Sequence, residues 1–443
     1  MFVRLGRSSI TIGLVAVSAV FLTSAFSLQV VAHTYRQTSS SVIDITFWNG
    51  HPSGALKNQM HKEVAQFNKT HPTIHVTFTD KYADTSSVTA AIKAGTAPNV
   101  VMPHLDAAQQ LVAYGDLVDL TPYINGKNGY TVKQRTNDFY PSVWNGRAIA
   151  PGRQYIIPYE ENGQMVIYYN SNLLNKAGIQ HPPKTWGQVV ADAGKVRALG
   201  SKYHGIAWTP SMTQYFVMIK DFGGKIWANS THTRFALANQ GAIDALQMLR
   251  NMVTDKSMVL TEAYNYEMDY ATGNIGILID KSAGWTYDDQ SAGGKFVMKA
   301  TEAPSGLSGK AFNYVTGDSL AVLKTGTSAQ QQAAWTFVKW LASPSVNAEW
   351  NEKTNYLPIG SATAGLMKNF YQTHSDHAAA FSNPIHWMTD PAVNATQYYA
   401  AMNAMTSDFN KALQGQESVV RAVQNMNKIG NEYLRGQVKN SER

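Results

Sequence analysis

Between Ile43 and Pro103 the hydrophobic period of the chain switches repeatedly between two residues and 3.6, and this alternation constrains the fold more than any other feature. In IDITFW, Ile43, Ile45 and Phe47 recur at every second position, the pattern of a strand with one buried face. LKNQMHKEVAQFNKTHP then sets Leu56, Met60, Val64 and Phe67 at helical spacing, and Pro72 ends the run. IHVTF, residues 74–78, returns to a period of two; a short helix around Val88 to Lys93 ends at Gly95, and NVVMP reads as a buried strand. Strand–helix–strand–helix–strand order predicts an α/β layer with a largely parallel sheet, because parallel neighbours need crossover helices between them.

The mixture recurs downstream. QMVIYYN is strand-like, NSNLLNKAGI is a short helix with Gly178 near its end, and PPKTWGQVVADAGKVRALG is a turn feeding an amphipathic helix. GNIGILIDKSAGW, residues 273–285, reads as strand then loop, and YVTGDSLAVL as a further strand. AQQQAAWTFVKWLASP predicts a helix closed by Pro344, with Trp335, Val338 and Leu341 toward a core. The C-terminal third is largely helical and carries no fixed-period repeat. A chain of 443 residues is long for one core, so two α/β lobes with a helical tail are expected.

The N-terminus joins a basic segment, MFVRLGR, to the apolar SITIGLVAVSAVFLTSAF, with Val30-Val31-Ala32 as a small-residue cleavage site. Residues 1–32 therefore read as a signal peptide or, given the length of the apolar run, as an uncleaved signal anchor, and residues 33–41 as a polar linker. Either way the protein is expected outside the cytoplasm, at the cell surface, extracellular or periplasmic. Cysteine is absent, which excludes disulfides, thiolate metal sites, a Cys nucleophile and a lipid anchor on Cys. Charged residues make up 15% of the chain, below the roughly 25% usual for soluble domains. Asn, Gln, Ser, Thr, Tyr and Trp supply the polarity, which suits a cleft that hydrogen-bonds neutral solutes. The formal charge of +7 includes no run of Lys and Arg with interleaved aromatics, so no nucleic-acid partner is expected.

Motifs for dinucleotide, phosphate-loop, zinc-protease and serine-hydrolase chemistry are missing, and the histidines lack metal-ligand spacing. Neither a cofactor nor a metal is expected. Asp288 and Asp289 lie in the segment read as a solvated loop. Glu160 and Glu161, in IIPYEENGQMVIYYN, are neighbours on an extended segment and point to opposite faces. A glycosidase pair would need a facing carboxylate from elsewhere, such as Asp106 or Asp318.

ITFWNG, FNKTHPTIHVTF and AAIKAGTAPNVV in succession resemble the extracellular solute-binding proteins of ATP-driven importers, in the family that takes up sugars and glycerol phosphates. IPYEENGQMVIYYNSNLLNKAGI followed by PPKTWGQVV resembles that family's crossover segment, and EWNEKTNYLPIG is similar to a segment of its glycerol-phosphate branch. The resemblance covers nearly the whole chain after the N-terminal segment. It implies an α/β, periplasmic-binding-protein-like (type II) clamshell of two lobes joined by a hinge, with a solute held between them. Lobe 1 would comprise residues 42–155 plus 316–358, the hinge crossover residues 156–163, and lobe 2 residues 164–315 plus 359–443.

The resemblance also places candidate ligand contacts. Trp48 and Asn49 end the first strand and Tyr82 follows the second, at positions where the family touches ligand; Asp106 sits one place beyond an acidic contact of relatives. Glu160, Glu161, Asn162 and Gly163 form the crossover, with one acid toward the cleft and the other toward solvent. Trp208 resembles a stacking Trp of the second lobe, and Trp285 is a further stacking candidate. Gly317 and Asp318 match the returning hinge strand, and Tyr356 matches the Tyr of the TNYLPIG segment. The glycerol-phosphate branch grips phosphate with a late Arg; here SNPIHWMTDPAVNATQYY has neither Arg nor Lys but offers Trp387 and Asp390. An aromatic and an acid favour a neutral carbohydrate. The implied function is a monomeric, non-enzymatic receptor that captures a sugar or oligosaccharide and delivers it to transmembrane permease subunits of an importer. The alternatives are a receptor for glycerol 3-phosphate or glycerophosphodiesters and a secreted carbohydrate-active enzyme using Glu160 or Glu161.

Overall fold

The computed structural model describes residues 41–263, 265–375, 387–391 and 395–437. The expected signal segment, all of the linker but Ser41, and residues 382–386 and 392–394 of the late segment lie outside the described residues.

Two five-stranded sheets organise two lobes. The first contains β1 (Ile43–Trp48), β2 (Ile74–Thr79), β3 (Val100–Val101), β4 (Ile156–Pro158) and, from far downstream, β12 (Ser319–Val322), in the order β2-β1-β3-β12-β4. β1 runs parallel to β2 and β3, whereas β12 is antiparallel to both β3 and β4. Ile45 and Phe47 are buried as their alternation requires, and Met60, Val64 and Phe67 of the helix Gly54–Thr70 close over that face. The helix Ser328–Leu341 packs Trp335, Val338 and Leu341 into the same core. Pro344 opens the next helix, Pro344–Thr354, in the first turn, where its missing N–H costs nothing.

The second sheet has the order β10-β6-β9-β7-β8 and is built from β6 (Val166–Asn170), β7 (His204–Trp208), β8 (Met258–Leu260), β9 (Ile275–Asp280) and β10 (Met298–Thr301). β7 is parallel to β8 and β9; β6 is antiparallel to β9 and β10. The helices Ala395–Leu413 and Val419–Leu434 return from the end of the chain to cover this lobe with Tyr398, Phe409, Val423 and Met426. Between the lobes lies a small sheet, β13-β11-β5, formed by β5 (Asn162–Gly163), β11 (Asn313–Thr316) and β13 (Trp387–Thr389). Thr316 pairs with Asn162 and Val315 with Gly163, so the outgoing and returning strands run side by side through the hinge.

One boundary differs from the sequence expectation. Residues 359–375 stay with lobe 1: Ile359 is in its core, its carbonyl accepts from Tyr140 N–H at 2.8 Å, and Ser361 Oγ donates to Asn137 O at 3.2 Å. Gly360 permits this docking, because a Cβ there would stand 2.1 Å from Asp138 O.

Candidate functional site

A cleft of about 540 Å³ opens between the lobes. Lobe 1 contributes the loop after β1, with Gly50 and His51, and also Tyr82 and Tyr356; the hinge contributes Asn162 and Asp318. Lobe 2 contributes the loop after β9, with Lys281 and Gly284, together with Tyr266, Glu267 and Tyr287. Both loops follow the carboxyl ends of strands, where open α/β sheets place their ligands. At the rim, Asn355 Nδ2 donates to Thr286 Oγ1 at 2.9 Å, which links the two walls.

Tyr82, Asn162, Asp318 and Tyr356 are the residues named from the sequence that line this cleft. Tyr82 is 60% exposed, and Tyr356 is half-buried against Trp350. The Asn162 side chain is already engaged, its Oδ1 accepting from Ser282 Oγ at 2.9 Å and Ala283 N–H at 3.1 Å. Gly163 N–H donates to Ser282 Oγ at 3.0 Å, so the crossover is stitched to the lobe 2 loop. Gly317 is required by close approach: a Cβ would stand 1.9 Å from Glu160 O.

The acids of the crossover do point to opposite faces, but neither reaches solvent. Glu160 Oε1 lies 2.7 Å from His51 Nε2, and Glu161 Oε1 accepts from Arg147 Nη2 at 2.7 Å. All four side chains are buried. The expected solvent-facing acid is therefore absent. Burial pushes Glu161 up to about 7, against the opposing Arg147 charge. Its Oε2 has no partner among the described residues.

The remaining candidates lie off the cleft. Trp48 packs under Lys81 Nζ, 4.3 Å from the ring centroid, and Asn49 Nδ2 donates to Asp80 Oδ1 at 2.6 Å, so both shape the loop after β1. Asp106 pairs with His104 at 3.0 Å; burial would raise its carboxyl, but His104 holds it below the ordinary carboxylate range. Trp208 is fully enclosed, its indole N–H donating to Gln214 Oε1 and its ring edge-on to that of Phe409 with centroids 6.1 Å apart. Its expected stacking role is corrected to a core role. Trp285 meets Tyr168 at 5.7 Å and Trp387 meets Tyr140 at 5.6 Å, both edge-on and away from the cleft lining.

The segment read as a solvated loop is the helix Trp285–Ala292, and Asp288 in it is fully buried while Asp289 is exposed. Neither Asp288 oxygen has a hydrogen-bond partner among the described residues. Asp280 Oδ2 and Asp288 Oδ2 converge on Gly284, lying 2.0 and 3.3 Å from the place its Cβ would occupy. Burial pushes Asp280 up to about 6, with Glu267 adding to it, and Asp288 well above the ordinary range, with repulsion from Asp280 adding to it. Among the described residues no group of His, Asp and Glu is arranged to hold a metal ion. His51, Tyr266, Glu267, Lys281 and Tyr287 are cleft residues that sequence reasoning did not name. For His51 and Lys281 the signal was available: each lies in a short loop directly after a predicted strand.

The arrangement is a solute trap with tyrosine faces, carboxylates and one Lys. Residues 53–348 match the family model described as bacterial extracellular solute-binding protein. A binding protein of Brucella abortus is 24% identical over 242 residues, a match spanning 52% of this chain and about half, 56%, of that relative. The fold is that of the cyclic α-maltosyl-1,6-maltose binding protein from Arthrobacter globiformis, with a TM-score of 0.76 at 18% identity, covering 89% of this chain and all of that one. It is also that of UgpB from Mycobacterium tuberculosis in complex with glycerophosphocholine, with a TM-score of 0.75 at 19% identity, covering 89% and 99%.

Proposed function

This chain belongs to the bacterial extracellular solute-binding protein family, and from that premise we propose that it captures a sugar or oligosaccharide in the interlobe cleft and presents it to the permease of an ATP-driven importer. The lining of the cleft carries the reading. Tyr82, Tyr266, Tyr287 and Tyr356 offer aromatic faces for the C–H face of a sugar, while Asp318 and Glu267 offer acceptors for its hydroxyls. Bidentate Arg is the expected phosphate reader, and among the described residues no Arg lines the cleft, Lys281 being its one Lys there. Arg147, the buried Arg near the hinge, is committed to Glu161 and, through Nε, to Ser319 Oγ at 3.1 Å.

The same geometry argues against catalysis by Glu160 and Glu161. Each is held by its own base rather than presented to the cleft, so neither can flank a glycosidic bond. The role proposed is binding without turnover, as a monomer outside the cytoplasm.

Calorimetry with maltose, maltotriose, trehalose, sn-glycerol 3-phosphate and glycerophosphocholine separates the readings. Binding of at least one sugar, with a matching rise in melting temperature, is expected. Tyr356→Ala should then weaken affinity about tenfold without lowering the melting temperature of the free protein, because its ring is half-exposed on the cleft wall. Binding of the phosphate compounds with no sugar response would overturn the sugar assignment. Silence across the panel in folded, ligand-free protein would overturn both readings.

A further inference from the structure

The two ring nitrogens of His51 face different surroundings. Nε2 lies 2.7 Å from Glu160 Oε1, and Glu160 is withdrawn from solvent. Nδ1 has no hydrogen-bond partner among the described residues, and the residue lines the cleft. The loop is held in place by His51 N–H, which donates to Asn49 Oδ1 at 3.0 Å, and the ring rests 5.4 Å from that of Trp350. Asp318 borders the same floor; its Oδ2 lies 3.8 Å from where a Cβ on Gly50 would stand. Its carboxylate accepts no hydrogen bond from the described residues, while its backbone carbonyl accepts from Glu160 N–H at 3.1 Å. One nitrogen able to donate and one carboxylate able only to accept thus border the same cavity, with no hydrogen-bond partner for either among the described residues.

We propose that His51 is a specificity-determining residue of this cleft: Nδ1–H donates to a sugar oxygen while Asp318 accepts from an adjacent hydroxyl, and Glu160 is the positioning residue that fixes the ring from behind. The assignment rests on the carbohydrate reading above and names the part of the solute that is read, a vicinal diol. A diol supplies one acceptor and one donor to this pair. A phosphate supplies acceptors alone and sets its charge against Asp318, Glu267 and Asp280.

The charges around His51 make this recognition pH-dependent. Glu160 faces it from the crossover, Asp318 from the returning strand and Glu63 from the helix Gly54–Thr70; Glu267, Asp280 and the cation Lys281 stand across the cleft. Burial works against the imidazolium, but the three carboxylates outweigh it and hold His51 above its ordinary value. Below that raised value Nδ1 donates. As pH rises through it, Nδ1 becomes an acceptor and the diol loses a charge-assisted hydrogen bond.

Calorimetric titration of the wild-type protein with maltose, maltotriose and trehalose, between about pH 5 and pH 9, tests the assignment. For the sugar that binds, affinity should fall about tenfold across that range. His51→Gln should bind with the weaker affinity throughout and lose the pH dependence. Glu160→Gln should move the fall to lower pH, since the carboxylate nearest the ring is gone. Nitrogen-detected NMR of His51 in the free protein reads the same midpoint without any solute, and Glu160→Gln should lower it. Sugar binding that ignores pH in the wild type, pH dependence retained by His51→Gln, or an unmoved NMR midpoint would overturn this assignment and leave the carbohydrate reading standing. Binding of phosphate compounds alone would remove that reading first.

Discussion

Glu160 and Glu161 on the crossover and Asp280 and Asp288 in lobe 2 are all withdrawn from water, which raises all four carboxyls, yet among the described residues only the crossover acids meet a buried base. On the crossover each acid meets a base, His51 or Arg147, at 2.7 Å. Protonating Glu161 would leave the Arg147 guanidinium buried beside a neutral group. In lobe 2 the cation acting on Asp280 is Lys281, which is exposed, and both Asp288 oxygens lack a donor among the described residues. There a proton supplies what is missing, a hydrogen bond between the two carboxyl groups. Burial alone therefore does not set the role of an acid; its partner decides whether it acts as half of an ion pair or as a neutral acid.

Breaking the ion pair on the crossover should have the largest effect. Arg147→Met leaves Glu161 buried and uncompensated, and urea denaturation at about pH 8 should show a loss of about 3–5 kcal/mol. The loss should shrink toward about pH 5 because Glu161, already pushed up to about 7, can then take a proton. An equal loss at both pH values would mean that packing rather than charge holds Arg147.

The lobe 2 pair has, among the described residues, no buried base to lose. Its folded-state values are raised, so its contribution to stability is full below the ordinary carboxylate range and declines as pH rises through the raised values, about 6 for Asp280. Asp288→Asn removes one of the two protons at issue and should raise stability by about 1–3 kcal/mol at about pH 8, with little change at about pH 4. Thermal melts over that range decide it; destabilisation at high pH would show that an ionised Asp288 is held by a contact outside the described residues.

The smallest effect concerns the residue that joins the two regions. Ser282 sits in the loop beside Asp280 and bonds both Asn162 and Gly163 on the crossover. Ser282→Ala should cost about 1–2 kcal/mol in denaturant titrations, chiefly because Gly163 N–H loses its acceptor. Combined with Arg147→Met, the two costs should be nearly additive if the regions act independently; strong coupling would show that the hinge transmits between them.

Much of this was legible in local pattern. The alternation of Ile43, Ile45 and Phe47 and the helical spacing of Met60, Val64 and Phe67 named their elements because each period matches one backbone geometry. The two-lobe organisation followed from the ordered family segments, and Tyr356 and Asp318 were found on the cleft wall by the same route. Trp208 was misread because an aromatic at the end of a strand looks the same whether a cleft or a helix lies over it. Phe409, from the end of the chain, supplies the cover. His51 carries no periodic signal, and only its place in a short loop directly after a strand marked it.

The sequence by itself determined the elements, their α/β alternation, the family and the presence of two adjacent acids on the crossover. Only the tertiary structure decided what those acids do. Partners such as His51 for Glu160 and Arg147 for Glu161 come from other segments of the chain, and a carboxylate's charge state depends on the solvent and cations around it rather than on its neighbours in sequence.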